Sequence, residues 1–168
     1  MKLLRPLFAA LLLCCAAAAY GASPRTVTNI DFDWYFHLGD LEGAEKPGTD
    51  YSSWRRLDVP HDWTIEAEYS KDNRRENAFL PGGIAWYKKE IEWRPEWEGR
   101  RVCIEFDAIY TNSTVWLNGR KVGNRPQGYQ GINYDLTPYL VKGKNVMSVK
   151  VDLSLIHISE PTRLDVIS

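Results

Sequence analysis

Residues Ser113–Gly123 read STVWLNGRKVG, and this stretch decides the fold. Asn118 and Gly119 separate two runs rich in β-branched and apolar residues. A two-residue hairpin turn needs positive φ at both central positions, and Asn followed by Gly tolerates that better than other pairs. The stretch therefore predicts a β-hairpin with its turn at Asn118-Gly119.

Short alternating runs lie on both sides of the hairpin. In DWYFHL, Trp34, Phe36 and Leu38 fall on one face and Tyr35 and His37 on the other. In AWYKKEIEW, Ala85, Tyr87, Ile91 and Trp93 share a face, with Lys89 as a polar exception; RVCIEFDA points Val102, Ile104, Phe106 and Ala108 inward. NVMSVKVD alternates Met147, Val149 and Val151 against Ser148 and Lys150. Period-two patterning of this kind predicts strands with one wet face. DLTPYLVKGKN predicts a single helical turn over Thr137–Leu140 followed by a glycine-containing loop. Many short strands without crossover helices point to an all-β, antiparallel β-sandwich.

The two ends of the chain read differently from its middle. Lys2 and Arg5 precede the apolar run LFAALLLCCAAAA and the small residues of AYGA, the pattern of a secretory signal peptide over 1–21. This run is shorter than the roughly 20 apolar residues that span a bilayer. A secreted or periplasmic protein with no membrane segment after signal removal is expected. Cys103 is then the one remaining thiol, and its place in a strand predicts a buried structural residue. From Leu153 the sequence LSLIHISEPTR resembles a translated sequencing adapter, so 153–168 is expected to be non-native and the gene to be cut near Asp152. Residues 22–152 suit one domain. That segment carries 18 Lys and Arg against 20 Asp and Glu, because Lys2, Arg5 and Arg163, and Glu160 and Asp165, lie outside it. This balance offers no electrostatic footprint for nucleic acid. No Cys/His spacing suggests a metal site, and no cofactor is expected.

Chemistry concentrates in VPHDWT, Val59–Thr64. Adjacent His61 and Asp62 are raw material for general-base catalysis, but successive side chains on an extended backbone face opposite ways and no recognised Ser or Cys nucleophile motif accompanies them. His61 thus reads as a packing and hydrogen-bonding residue. The seven tryptophans carry two readings, since sugars stack on aromatic rings and large aromatics also fill cores. Trp34, Trp86, Trp93 and Trp116 sit in alternating runs and are expected in the core; Trp54, Trp63 and Trp97 remain open.

Five stretches in order resemble the N-terminal sugar-binding domain of family-2 glycoside hydrolases, β-galactosidases in particular. They are FDWYFHLGD, WRRLDVPHDWTIE, LPGGIAWYKKEI, RVCIEFDAIYTNSTVWLNGRKVGNRPQGY and YDLTPYLVKGKNVMSVKVD. Ala85 and Gln127 depart mildly from the family wording. The resemblance implies a jelly-roll β-sandwich followed, in the parent enzyme, by an immunoglobulin-like domain and a barrel. Two barrel glutamates would carry a retaining hydrolysis there. Neither is expected in this chain: Glu66, Glu68, Glu90, Glu92 and Glu105 match no catalytic motif. The resemblance further implies a carbohydrate substrate, with Asp62 as the substrate-binding candidate and His61 and Trp63 beside it. Asp62 suits such a role because a carboxylate accepts strong hydrogen bonds from hydroxyls; it suits equally a turn in which it accepts backbone N–H groups. A free-standing carbohydrate-binding module is the alternative to a glycosidase domain.

Overall fold

A computed structural model of the protein describes residues 25–66, 68, 70 and 82–154. The signal-peptide segment 1–21 and nearly all of the tail, 155–168, lie outside the described residues. Two units divide the chain, Met1–Ile30 and Asp31–Ser168. Residues 25–30 hold no strand or helix, and the fold described here is that of the second unit.

The hairpin forms where Asn118-Gly119 predicts it, with φ of 52° and 78° at the two turn residues. It joins two of the strands found among the described residues. In chain order these are β1 Trp34–Leu38, β2 Arg55–Leu57, β3 Ile84–Glu92, β4 Cys103–Phe106, β5 Ser113–Leu117, β6 Arg120–Arg125, β7 Ile132–Asp135 and β8 Lys144–Asp152. One-turn 3-10 helices at Trp63–Glu66, Pro95–Trp97 and Thr137–Tyr139 supply the only helical backbone among the described residues. A six-stranded sheet has the order β2-β1-β3-β8-β5-β6, and β4 pairs with β7 in a second sheet. Every pairing is antiparallel. The longest ladder joins β3 and β8, from Ile84 opposite Asp152 to Glu92 opposite Lys144.

Register fixes which side chains face the second sheet. Phe36 lies opposite Tyr87, Tyr87 opposite Val149, and Val149 opposite Val115, so these four share a face with Trp34, Ala85, Met147, Val151 and Leu117, all buried. In the small sheet, Ile104 pairs with Tyr134 and Phe106 with Ile132, which places these four on one face; Ile104 and Ile132 are buried. Tyr134 reaches across to Gly123 on β6 so closely that a Cβ there would lie 2.2 Å from the ring. The result is the antiparallel β-sandwich expected from the pattern, in the jelly-roll form that the family resemblance implies.

The opposite face of the large sheet departs from expectation. Lys88, which the alternation of β3 turns toward water, is 0% exposed, and Trp86 on the same face is 3% exposed, in the core as expected of it. The long β1–β2 connection folds back over them and brings Leu41, Ala44, Tyr51 and Trp54 onto Trp86 and Trp116. Lys88 Nζ donates to the Lys46 carbonyl at 2.8 Å and lies 5.1 Å from the Tyr51 ring centre. A second apolar core thus occupies the face that alternation marks as wet. Cys103 is also a correction: it sits on the outward face of β4 and is exposed. Leu38 and Ala108 fall outside the core because β1 ends at Leu38 and β4 at Phe106. Of the tryptophans, Trp34 and Trp86 are buried, as are Trp54 and Trp63; Trp93, Trp97 and Trp116 are half-buried.

Candidate functional site

The VPHDWT segment leaves β2 and enters the 3-10 turn Trp63–Glu66. Asp62 starts that turn: its Oδ1 accepts the Thr64 backbone N–H at 2.9 Å and the Thr64 hydroxyl at 2.7 Å. This is the short Asp-to-i+2 bond that stabilises turn entries. Asp62 is exposed, and its other carboxylate oxygen accepts no hydrogen bond from the described residues. One oxygen holds the loop while the other is left uncommitted.

His61 turns the opposite way, as adjacent residues on extended backbone do. Its side chain is 8% exposed, with its ring packed edge to face on Phe36, 4.7 Å between ring centres. Nδ1 lies 2.9 Å from the Tyr87 hydroxyl and Nε2 3.1 Å from Glu66 Oε1. Arg55 clasps Glu66 through both guanidinium nitrogens, 2.7 Å at Oε2. That clasp, aided by His61, holds the Glu66 carboxyl down to about 2. An ionised carboxylate only accepts, so the Nε2 that faces Glu66 carries a proton. Burial raises the Tyr87 phenol, and the charges of Asp62 and Glu66 push it the same way, so it stays protonated. Among the described residues neither Ser52 nor Ser53 bonds to His61, and no nucleophile–base pair forms here.

Trp63 is 5% exposed, packed beside Phe36 and Tyr87, and its indole N–H has no acceptor among the described residues. All three candidates, His61, Asp62 and Trp63, border a cleft of about 560 Å³ whose floor includes Trp34, Tyr87 and Val149 and whose far wall runs from Phe106 to Tyr110. The cleft combines an apolar floor with an exposed carboxylate that has one oxygen uncommitted among the described residues, a setting suited to a small polyhydroxyl ligand. Among the described residues no group of three His, Cys, Asp or Glu is placed to hold a metal ion.

Sequence reasoning missed the partners of His61. Arg55 lies on β2 and Tyr87 on β3, and their convergence depends on register that no local motif encodes. It also missed Tyr110, which the β4–β5 connection brings to the cleft wall.

A family model described as "Glycosyl hydrolases family 2, sugar binding domain" matches residues 30–164. The chain is 45% identical over 133 residues to the β-galactosidase BoGH2A of Bacteroides ovatus, covering 77% of this chain and 16% of that protein. It is 37% identical over 147 residues to a putative β-glucuronidase of Formosa agariphila, covering 86% of this chain and 14% of that protein. A crystal structure of a β-glycosidase from Bacteroides vulgatus matches with a TM-score of 0.71 and 45% identity, over 74% of this chain and 17% of that one. The chain thus spans about one sixth of the relatives it matches. Motif order, jelly-roll topology and this match over most of its length agree: the chain belongs to the sugar-binding domain family of the family-2 glycosyl hydrolases.

Proposed function

We propose that this domain leads an exported glycoside hydrolase that cleaves β-galactosides, and that it lends Asp62 to a pocket whose two bond-breaking carboxylates lie in a part of the protein outside this sequence. The observation that carries the reading is the division of labour within Asp62, an exposed residue that lines the cleft: Oδ1 is committed to Thr64, and the second oxygen has no hydrogen-bond partner among the described residues. A preformed, exposed carboxylate accepts sugar hydroxyls at little ordering cost. The 45% identity to a β-galactosidase supports the choice of galactosides. The Lys2/Arg5 start and the apolar run behind it support export.

The test begins by amplifying the gene beyond codon 152 from its source DNA and purifying the longer protein. That protein should hydrolyse an aryl β-galactoside, and residues 22–152 alone should not. In the longer protein, Asp62→Asn keeps an acceptor for Thr64 while removing the charge. It should lower kcat/KM by about 10- to 100-fold, the loss of a charge-assisted bond worth roughly 1 to 3 kcal/mol. An unchanged kcat/KM would return Asp62 to the turn alone. A stop codon immediately after 152 would make the domain a free-standing carbohydrate-binding module.

A further inference from the structure

The cleft that Asp62 lines is also lined by Tyr110, whose ring meets that of Tyr129, and the core uses neither ring. Tyr110, on the cleft wall, is 55% exposed, and Tyr129 is 85% exposed. Large apolar rings held together in water signal a contact surface more often than chance. The rings meet edge to face, 5.3 Å between centres and 61° between planes.

The two segments that carry them are fastened to each other. Thr111 Oγ1 donates to the Pro126 carbonyl at 2.7 Å, and the Asn112 N–H donates to the same oxygen at 3.2 Å. Gly128 presses against Tyr110 so tightly that a Cβ would fall 2.6 Å from the Tyr110 Cα. Only glycine fits that approach. The two segments are therefore preset against each other, which lessens the backbone ordering that a ligand must impose.

We propose that Tyr110 and Tyr129 form a stacking platform for a further sugar ring of a β-linked oligosaccharide whose terminal unit sits at Asp62. A pyranose presents an apolar C–H face and a polar rim of hydroxyls. A tyrosine ring matches the first, and its phenol can bond the second. Tyr110 lines the same cleft as Asp62, so one ligand can touch both. The inference rests on the sugar-binding reading of the cleft and extends it from a single unit to a chain.

The experiment is an NMR titration of the full chain with methyl β-D-galactopyranoside and, separately, with β-1,4-linked galactotetraose. The tetraose should bind about fivefold more tightly, the worth of one aromatic stack, and it alone should move the Tyr110 and Tyr129 ring signals. Tyr129→Ala should abolish that advantage while leaving both the monosaccharide affinity and Tm unchanged, and Tyr129→Phe should retain it. Equal affinity for the two sugars, a tetraose affinity indifferent to Tyr129→Ala, or a fall in Tm on that substitution would overturn the platform. The cleft is judged separately. Monosaccharide binding that is absent, or insensitive to Asp62→Asn, overturns the cleft reading and the platform with it. Asp62-dependent monosaccharide binding without a tetraose advantage overturns the platform alone.

Discussion

Asn118 Nδ2 donates to Asn145 Oδ1 across 2.8 Å, joining the β5–β6 turn to the start of β8. Asn118 Nδ2 also donates to the Tyr139 carbonyl at 3.0 Å, and its Oδ1 accepts the Val146 N–H at 2.9 Å. Asn145 is 0% exposed and donates to the carbonyls of Val141 and Gly143, at 2.9 and 3.0 Å, while Oδ1 also accepts the Val141 N–H at 2.8 Å. Both donors of each amide are used. Two side chains thereby hold the hairpin turn, the 3-10 turn at Thr137 and the β8 entry in one arrangement.

Asn145→Ala strips four hydrogen bonds from a buried site and leaves the Val141 N–H unpaired. The expected loss is about 3 kcal/mol of unfolding free energy. Asn118→Ala should cost about 2 kcal/mol, because it also forces a residue with poor tolerance for φ 52° into the turn. Since the residues share a bond, the double variant should lose less than the two singles together. Urea denaturation of the four proteins checks this; strict additivity would show that the amides act independently.

The hairpin was legible because Asn118-Gly119 is a local signal, and the inner face was legible because Met147, Val149 and Val151 obey a period of two. The outer core was not. Trp86 and Lys88 lie on the face that the alternation of β3 assigns to solvent, and only the return of the β1–β2 connection buries them. Such coverage is a long-range event without a periodic trace, although a tryptophan on a supposedly wet face was its one hint. Cys103 misled for the converse reason. A thiol among strand residues ordinarily packs inside, but its parity on β4, opposite Asp135, puts it outward. At the cleft, the position of Asp62 could be read from a motif, whereas the clasp of Arg55, Glu66 and Tyr87 around His61 could not.

Lys88 gives the outer core a pH dependence. Burial pushes its ammonium down to about 8 from 10.5, against a smaller opposing pull from Glu45. Between those values the unfolded chain binds more protons than the folded one, so stability rises as pH increases from 8 to 10.5. The full gain is on the order of 3 kcal/mol, at about 1.4 kcal/mol per pKa unit. Lys88→Met fills similar volume without a charge and should match or exceed the parent at pH 7, to within about 1 kcal/mol for the carbonyl of Lys46 left unpaired. The parent should gain about 3 kcal/mol relative to the variant between pH 8 and pH 10.5. Denaturation curves across that range test it; a difference that does not change with pH would show that Lys88 titrates normally in the folded state.

Glu66 acts at the other end of the scale. Its carboxyl is held down to about 2 from 4.5, mainly by Arg55 and then by His61. A depressed acid stabilises the fold above its unfolded pKa, and that contribution disappears as pH falls from 4.5 toward 2. Glu66→Gln should therefore melt below the parent at pH 7 and converge on it near pH 2. The same variant replaces the carboxylate facing His61 Nε2 with a neutral amide, which would appear as a shifted His61 ring signal by NMR. A constant gap in Tm from pH 7 to pH 2 would rule out the Arg55 clasp as its cause.

Gly123 tests how closely the two sheets approach. It lies opposite Val115 on the inner face, where a Cβ would stand 2.2 Å from Tyr134 Cε1 and 2.5 Å from Cζ. Gly123→Ala needs no unusual backbone, so its cost is steric: about 2 kcal/mol, typical of overpacking a core. Tyr134→Leu removes the obstructing ring, and in that background Gly123→Ala should cost less than about 0.5 kcal/mol, a positive coupling of the kind contacting residues show. Tyr134→Phe supplies the control. The Tyr134 hydroxyl is buried without a partner among the described residues, so deleting it should leave stability unchanged or raise it. Full cost of Gly123→Ala in the Tyr134→Leu background would place the obstruction elsewhere and loosen the packing of β7 on β6 that this sandwich depends on.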